Sequence, residues 1–362
     1  MKLLQVIELL ERIAPTHLAE PWDNVGLLAG DAAANVSRVL LTIDFTPAVA
    51  REAIGSRCDL VIAYHPPIFN AIKRITGESL VFQAIQSGVA LYSPHTALDV
   101  VEGGTNDMLA DVLGLRERAP LRHRAPEARE YKLVTFVPAA NVGAVSAAIF
   151  AAGAGRIGRY SSCSFRCEGT GTFFGEEGTH PAVGRKGRLE KAPEVRLETV
   201  VPIARVADVI HALRQSHPYE EPAFDLNQLV PVAPDIGMGR IGLVSPTSRK
   251  TLFARIKRGL KVSRLLISGP LTGDVRRAAV CAGSCGNLLD DAITAGAELF
   301  LTGEVRHHDA LKAAAAGMTV VCALHSNSER PVLGRLKARL RSVAPKLSVS
   351  VSRADRDPFS II

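Results

Sequence analysis

His325 and Glu329 stand four residues apart in Ala323-Leu-His-Ser-Asn-Ser-Glu329, directly after the apolar run Met318-Thr-Val-Val-Cys322. An imidazole nitrogen and a carboxylate oxygen are ligand types that hold zinc, iron or manganese. The i, i+4 spacing puts both on one face of a helix that begins where a strand ends. Polar groups follow apolar runs in the same way at Tyr64-His-Pro-Pro-Ile-Phe69, at His95-Thr-Ala-Leu-Asp99 and at Gly303-Glu304. In open α/β sheets ligands bind beyond the carboxyl ends of the strands. If these segments share a crevice, His65, His95, Asp99, Glu304, His325 and Glu329 converge there. Such a set offers only nitrogen and oxygen donors, and a carboxylate bridging two metals makes a site able to activate water.

Each element also has a plainer reading. His65 before two prolines can fill a turn, and His95 and Asp99 can cap the helix that follows. His307 and His308 can be ordinary first-turn residues of a helix after Gly303-Glu-Val-Arg306. Gly283-Ser-Cys-Gly286 resembles a phosphate-cradling turn but lacks the spacing of the dinucleotide and Walker motifs.

The elements that must position these groups alternate. A stripe of Leu3, Val6, Ile7, Leu10 and Ile13 predicts a first helix. Strands are expected at Arg38–Asp44, Asp59–Ala63 and Val89–Ser93, with Thr46-Pro47 opening a helix between the first two. This rhythm argues for a parallel sheet flanked by helices. The stretch from Arg116 to Glu130 is polar and rich in arginine. After it the pattern reads strand (Tyr131–Val137), helix (Val142–Ala151), an aperiodic Gly-rich stretch (153–191) expected to be loop with short hairpins, strand (Val195–Val201), helix (Val206–Gln215) and strand (Ala223–Leu229). Two such βα units predict a ferredoxin-like α+β insert. Strands at Leu265–Ser268, Ala278–Cys281, Leu299–Leu301 and Thr319–Cys322 return to α/β. The expected division is an α/β lobe over 1–125, an insert over 126–235 and a second α/β lobe over 236–362, with the metal cleft between the lobes.

Lys and Arg total 43 against 36 Asp and Glu, a net charge of +7 spread along the chain. That excess reads as a solvated surface or as a basic rim for anionic substrates such as nucleotides. Low aromatic content and the lack of a helix-turn-helix or RNA-binding signature argue against a dedicated nucleic-acid reader. No run of 18 apolar residues predicts a membrane span, and the charged, amphipathic N-terminus does not read as a signal peptide. The six cysteines, two pairs of them spaced CxxxC, read as free thiols in a reducing cytoplasm.

Six stretches carry a resemblance. Glu20-Pro-Trp-Asp-Asn-Val-Gly-Leu-Leu28, Tyr64–Phe69, His95–Asp99 with Gly104-Thr-Asn-Asp107, Leu301–Asp309, His325–Arg330 and Asp355-Arg-Asp-Pro-Phe359 together resemble the Nif-three-like family of dinuclear-metal proteins, often labelled GTP cyclohydrolase 1 type 2 homologues. Ser216-His-Pro-Tyr-Glu-Glu-Pro222 resembles the PII-like insert of its longer members. The resemblance implies a homo-hexamer, one or two divalent metals (zinc, iron or manganese) per chain, and His65, Asp99, His325 and Glu329 as ligands. Many members have two adjacent histidines where this chain has Tyr64-His65. That departure implies a weakened second metal position, a phenolate ligand, or a substitute from His95, His307 or His308. The activity expected is a metal-dependent hydrolase acting on a small nucleotide-like or phosphorylated substrate, with Glu304 or His308 transferring protons. The alternative is a non-catalytic metal-trafficking or regulatory protein.

Overall fold

The computed structural model describes residues 1–124, 130–229 and 236–360. The strands in the first stretch are β1 (Gly26–Ala29), β2 (Arg38–Thr42), β3 (Leu60–Ala63), β4 (Ala90–Ser93), β5 (Arg116–Ala119) and β6 (Arg122–His123). The second stretch holds β7 (Glu130–Pro138), β8 (Ser164–Phe174), β9 (Leu189–Pro202) and β10 (Phe224–Leu229). The third holds β11 (Gly237–Met238), β12 (Arg240–Ser248), β13 (Leu266–Ser268), β14 (Asp274–Ser284), β15 (Leu299–Glu304), β16 (Thr319–Cys322) and β17 (Ser348–Val351). By their contacts the described residues form two compact units, one combining 1–124 with 236–360 and the other holding 130–229. The expected boundaries after residues 125 and 235, and Arg129, lie outside the described residues.

The first unit contains two large sheets. One has the order β1-β4-β3-β2-β17 and is parallel except for β1. The other has the order β13-β16-β15-β14-β12-β5, with β13 and β12 running against the other four strands. Every residue of β3, β4 and β16 is buried, as near-continuous apolar runs predict for strands covered on both faces. Neither sheet is built from one terminal stretch alone. β17 closes an edge of the first sheet and β5 closes an edge of the second. The helix Thr105–Leu113 packs Leu109 and Leu113 into the second sheet's core, while Leu333, Leu336 and Leu340 of the helix Pro331–Val343 pack into the first. Their stripes face those cores, so the helices follow the cores rather than chain order.

The local signals held at the first two helices. Leu3, Val6, Leu10 and Ile13 are the buried stripe of the helix Leu3–Ile13. Thr46 accepts a hydrogen bond from the Val49 amide, and Pro47 starts the helix Pro47–Gly55.

The second unit runs β7, helix Val142–Ala151, β8, β9, helix Val206–Ser216, β10, with sheet order β10-β7-β9-β8 and every neighbouring pair antiparallel. Val145, Ile149, Val209 and Leu213 from the helices cover Leu133, Val137, Leu197 and Val201 on one sheet face. The stretch 153–191 differs from the loop and short hairpins expected of it. It contains the 11-residue β8, which pairs along its length with the 14-residue β9. Nine of the β8 residues are exposed, so no apolar alternation marks the strand; the backbone ladder to β9 defines it.

Candidate metal centre

The first sheet's β3 leads into His65, and the second sheet's β16 leads into the helix His325–Glu329. Between β16 and that helix stands Leu324, at φ 70° and ψ 153°. That region is nearly reserved for glycine and costs of order 1–3 kcal/mol. The turn it makes aims His325 and Glu329 back over the strand ends.

His65, His325 and Glu329 each offer one ligand atom, and these atoms lie within 4.8 Å of one another. His65 Nε2 approaches Glu329 Oε2 to 3.3 Å, and His325 Nε2 approaches Glu329 Oε1 to 3.3 Å. Glu329 is only 3% exposed, and its Oε2 has no hydrogen-bond partner. Both contacts are ion pairs, and the three groups are close enough to face a common point. The far side of each ring is anchored. His65 Nδ1 lies 2.9 Å from Asp44 Oδ1, and His325 Nδ1 lies 3.0 Å from Glu304 Oε1. A carboxylate on Nδ1 fixes the tautomer that leaves Nε2 for a metal.

Electrostatics follows from this crowding. Burial opposes charge on His65, but Asp44 and Glu329 outweigh it and carry the imidazole up to about 10. Contact with Glu329 carries His325 to about 9 against its own burial. Burial tends to raise Glu329, yet the two imidazoles hold it below the ordinary carboxylate value. The metal-free cluster thus concentrates protons around an ionised carboxylate, and a divalent cation would take their place. The orphaned Oε2, the two anchored imidazoles and the all-nitrogen-and-oxygen donor set fit such an ion.

Glycine makes room for it. Gly283, at φ 61° near the end of β14, sits so close that an added Cβ would lie 2.4 Å from Glu329 Oε1 and 3.1 Å from His325 Nε2. A Cβ on Gly303 would lie 2.9 Å from His325 Cα.

The remaining sequence-derived residues are placed as follows. Asp99 lies in the helix His95–Val100, buried, and accepts a hydrogen bond from the Tyr64 hydroxyl. Burial pushes the Asp99 carboxyl up to about 6, although Tyr64 and His95 pull the other way. Tyr64 is buried too, and burial together with Asp99 and Glu329 holds its phenol well above 10. His95 stands beside the cluster, its ring centroid 5.4 Å from that of His65, with Nδ1 held 2.8 Å from Asp23 Oδ1. Glu304 is engaged with His325. His307 and His308 are exposed at the start of the helix His307–Ala315, in ring contact with each other, and do not belong to the cluster.

Sequence reasoning passed over Asp44, Asp23 and Gly283. The rule that found His65 could have found Asp44, because it too follows a strand, β2. Asp23 lay inside a quoted motif, and Gly283 inside a turn read for phosphate. In the second unit a cavity of about 650 Å³, lined in part by Phe173, Glu194, Arg196 and Tyr219, contains none of the candidate ligands.

A family model described as Duf34/NIF3 (NGG1p interacting factor 3) matches residues 1–358. A Halalkalibacterium halodurans protein named GTP cyclohydrolase 1 type 2 homolog is 36% identical over 365 residues, covering 99% of this chain and 98% of its own. A Bacillus subtilis protein of the same name is 34% identical over 367 residues, with 99% and 98% covered. Among solved structures, the Staphylococcus aureus protein SA1388 superposes with a TM-score of 0.81 at 29% identity, covering 100% of this chain and 99% of that one. A Bacillus cereus protein related to NIF3 does so at 0.68 and 33% identity, with the same coverage.

Proposed function

Because the chain belongs to the Duf34/NIF3 family, we propose that it is a metal-dependent hydrolase acting on a small nucleotide-like or phosphorylated substrate. The observation that carries this reading is the triad of His65, His325 and Glu329 with both imidazoles anchored through Nδ1. A divalent ion of zinc, iron or manganese held there supplies Lewis acidity and makes nearby water easier to ionise. Asp99 is the fourth ligand in this proposal, reached once the Tyr64 hydrogen bond is given up, and His95 is the nearest substitute donor. Asp44 and Glu304 orient the imidazoles, and the burial of Glu329 keeps bulk water from competing for its oxygens.

The two sheets of the first unit are, in this reading, the two α/β lobes, and the metal lies in the cleft between them. The second unit is the PII-like, ferredoxin-like insert and supplies no ligand. The assembly is a homo-hexamer of two-metal type with Tyr64 at the weaker position, and the location is cytoplasmic, consistent with six free cysteines among the described residues. No described helix is long and apolar enough to cross a membrane.

One observation favours the second reading, a non-catalytic metal-trafficking or regulatory protein. Of the two candidates for proton transfer, Glu304 is engaged with His325 and His308 stands outside the cluster. Elemental analysis of protein purified without added metal tests the shared premise. His325→Ala and Asp99→Ala proteins that stay folded should lose metal, and unchanged stoichiometry in both rejects the site. Turnover of nucleotides and phosphoesters that stops on chelation selects the hydrolase. Zinc release to an acceptor without turnover selects the carrier.

A further inference from the structure

Two aromatic side chains stand in the open beside the metal centre. Trp22 is 59% exposed and Phe69 is 50% exposed, with ring centroids 6.1 Å apart. Trp22 also lies 6.1 Å from the His95 ring, which lies 5.4 Å from His65, which lies 5.3 Å from His325. A continuous row of rings therefore runs from open surface to the ligand triad. Phe69 meets the indole at 58° and His95 meets it at 74°, so neither ring stacks on it.

The loops that carry the pair are held tightly although the rings are not covered. Asp23, whose side chain is fully buried, accepts from the Thr96 amide at 3.1 Å and the Thr96 hydroxyl at 2.5 Å, and binds His95. The Glu20 amide donates to Thr96 Oγ1 at 3.0 Å. Asn24 Nδ2 donates to the Ile68 carbonyl at 2.6 Å and so ties the Trp22 loop to the Phe69 loop. Ordering a loop while leaving its largest apolar side chain in water gains nothing for folding. It does pre-place a stacking surface.

We infer that Trp22 and Phe69 form a platform for the planar heteroaromatic head of the substrate, whose anionic arm reaches the cation held by His65, His325 and Glu329. The inference rests on the hydrolase reading and narrows it, since it selects a nucleotide over a phosphorylated compound without an aromatic ring. Stacking on an aromatic side chain tolerates any base, because every base presents a π-face. The platform therefore defines the class and leaves the base open. The net charge of +7 favours an anionic ligand of this class.

Trp22 is the chain's only tryptophan, so its emission reports on the platform alone. Guanosine 5′-monophosphate and ribose 5-phosphate are added separately to zinc-loaded and chelator-stripped full-length protein, excited at the red edge of indole absorption. Zinc per chain is measured on the same samples. The nucleotide should quench Trp22 saturably and ribose 5-phosphate should not. By calorimetry Trp22→Leu should weaken nucleotide binding about tenfold, the scale of one base stacked on one aromatic ring, and leave zinc content unchanged. Zinc bound with no response of Trp22 to the nucleotide, equal responses to both compounds, or unweakened binding by Trp22→Leu overturns the platform and leaves the metal reading standing. Zinc absent from the loaded protein overturns the metal reading, and nucleotide quenching in that sample still decides the platform.

Discussion

Glu329 and Asp99 are carboxylates that are 3% and 7% exposed, and they are shifted in opposite directions. Two imidazoles face Glu329 and keep it ionised in spite of burial. A phenol faces Asp99, burial outweighs its hydrogen bond, and the group is pushed up to about 6. Depth alone thus does not fix the direction in which a buried acid shifts; the chemistry of what faces it does. The consequence is an uneven site. At Glu329 a cation would meet a carboxylate with an open oxygen. At Asp99 a cation, if that residue is a ligand as proposed, would first have to displace a hydroxyl.

The largest expected effect comes from closing the open side. Gly283→Ala puts a methyl group against Glu329 Oε1 and His325 Nε2. Zinc per chain should fall below about a tenth of the wild-type value, with a stability loss of about 1–3 kcal/mol from overpacking. Elemental analysis and thermal melting read the two effects, and full zinc content in the variant would remove the triad from consideration.

Loosening the open side should do less. Asp44→Ala leaves His65 in place and removes the carboxylate that orients it. Zinc affinity in a competition titration should drop about 10–100-fold. A change under about threefold would show that Asp44 does not set the ring.

The closed side is probed by changing what faces Asp99. Tyr64→His replaces a donor hydroxyl by an imidazole that can itself bind metal at neutral pH. It should raise zinc binding toward two per chain, while Tyr64→Phe leaves the triad's share unchanged. The reverse pattern, loss in Tyr64→Phe and no gain in Tyr64→His, would make Tyr64 a ligand in its own right.

Glu52 extends the comparison to a carboxylate faced by backbone amides. It accepts from the Arg353 and Ala354 amides and from Ser352, and these bonds hold it below 4.5 although burial opposes them. A depressed carboxylate adds stability above its unfolded value and loses it as pH falls through the folded one. Glu52→Gln should therefore lower the melting temperature by about 1–2 °C at pH 7, a half-buried group's modest share, and match wild type near pH 3. An equal deficit at both values would mean that the effect is not electrostatic.

The cluster of His65, His325 and Glu329 was legible because its logic is local. His65 and His325 lie just beyond strands whose apolar runs are plain, and the His325–Glu329 spacing is a helical one. What was hidden depends on tertiary placement. Nothing near Gly283 announces that a carboxylate 46 positions later in the chain will fill the space beside it. The roles of Asp44 and Asp23 exist only once histidines from other segments arrive. In the fold, β3, β4 and β16 were readable from composition, whereas β8 was not, because its exposed residues carry no alternation. The crossing of β5 and β17 into each other's sheets left no mark in the sequence, since edge pairing is decided by geometry after the cores form.

That crossing has a consequence for how the protein is made. Val39 in β2 waits for Ser350 in β17, 311 positions further on. A ribosome adding about 5–20 residues per second needs roughly 15–60 s to supply them. Through that interval the edge of β2 has no strand beside it, an invitation to wrong partners. His325 and Glu329 also come late in the chain, so the proposed triad cannot be complete while its first half is being made. If the triad holds a metal as proposed, loading would follow the synthesis of Glu329, and a shortage of the ion would not delay the start of folding.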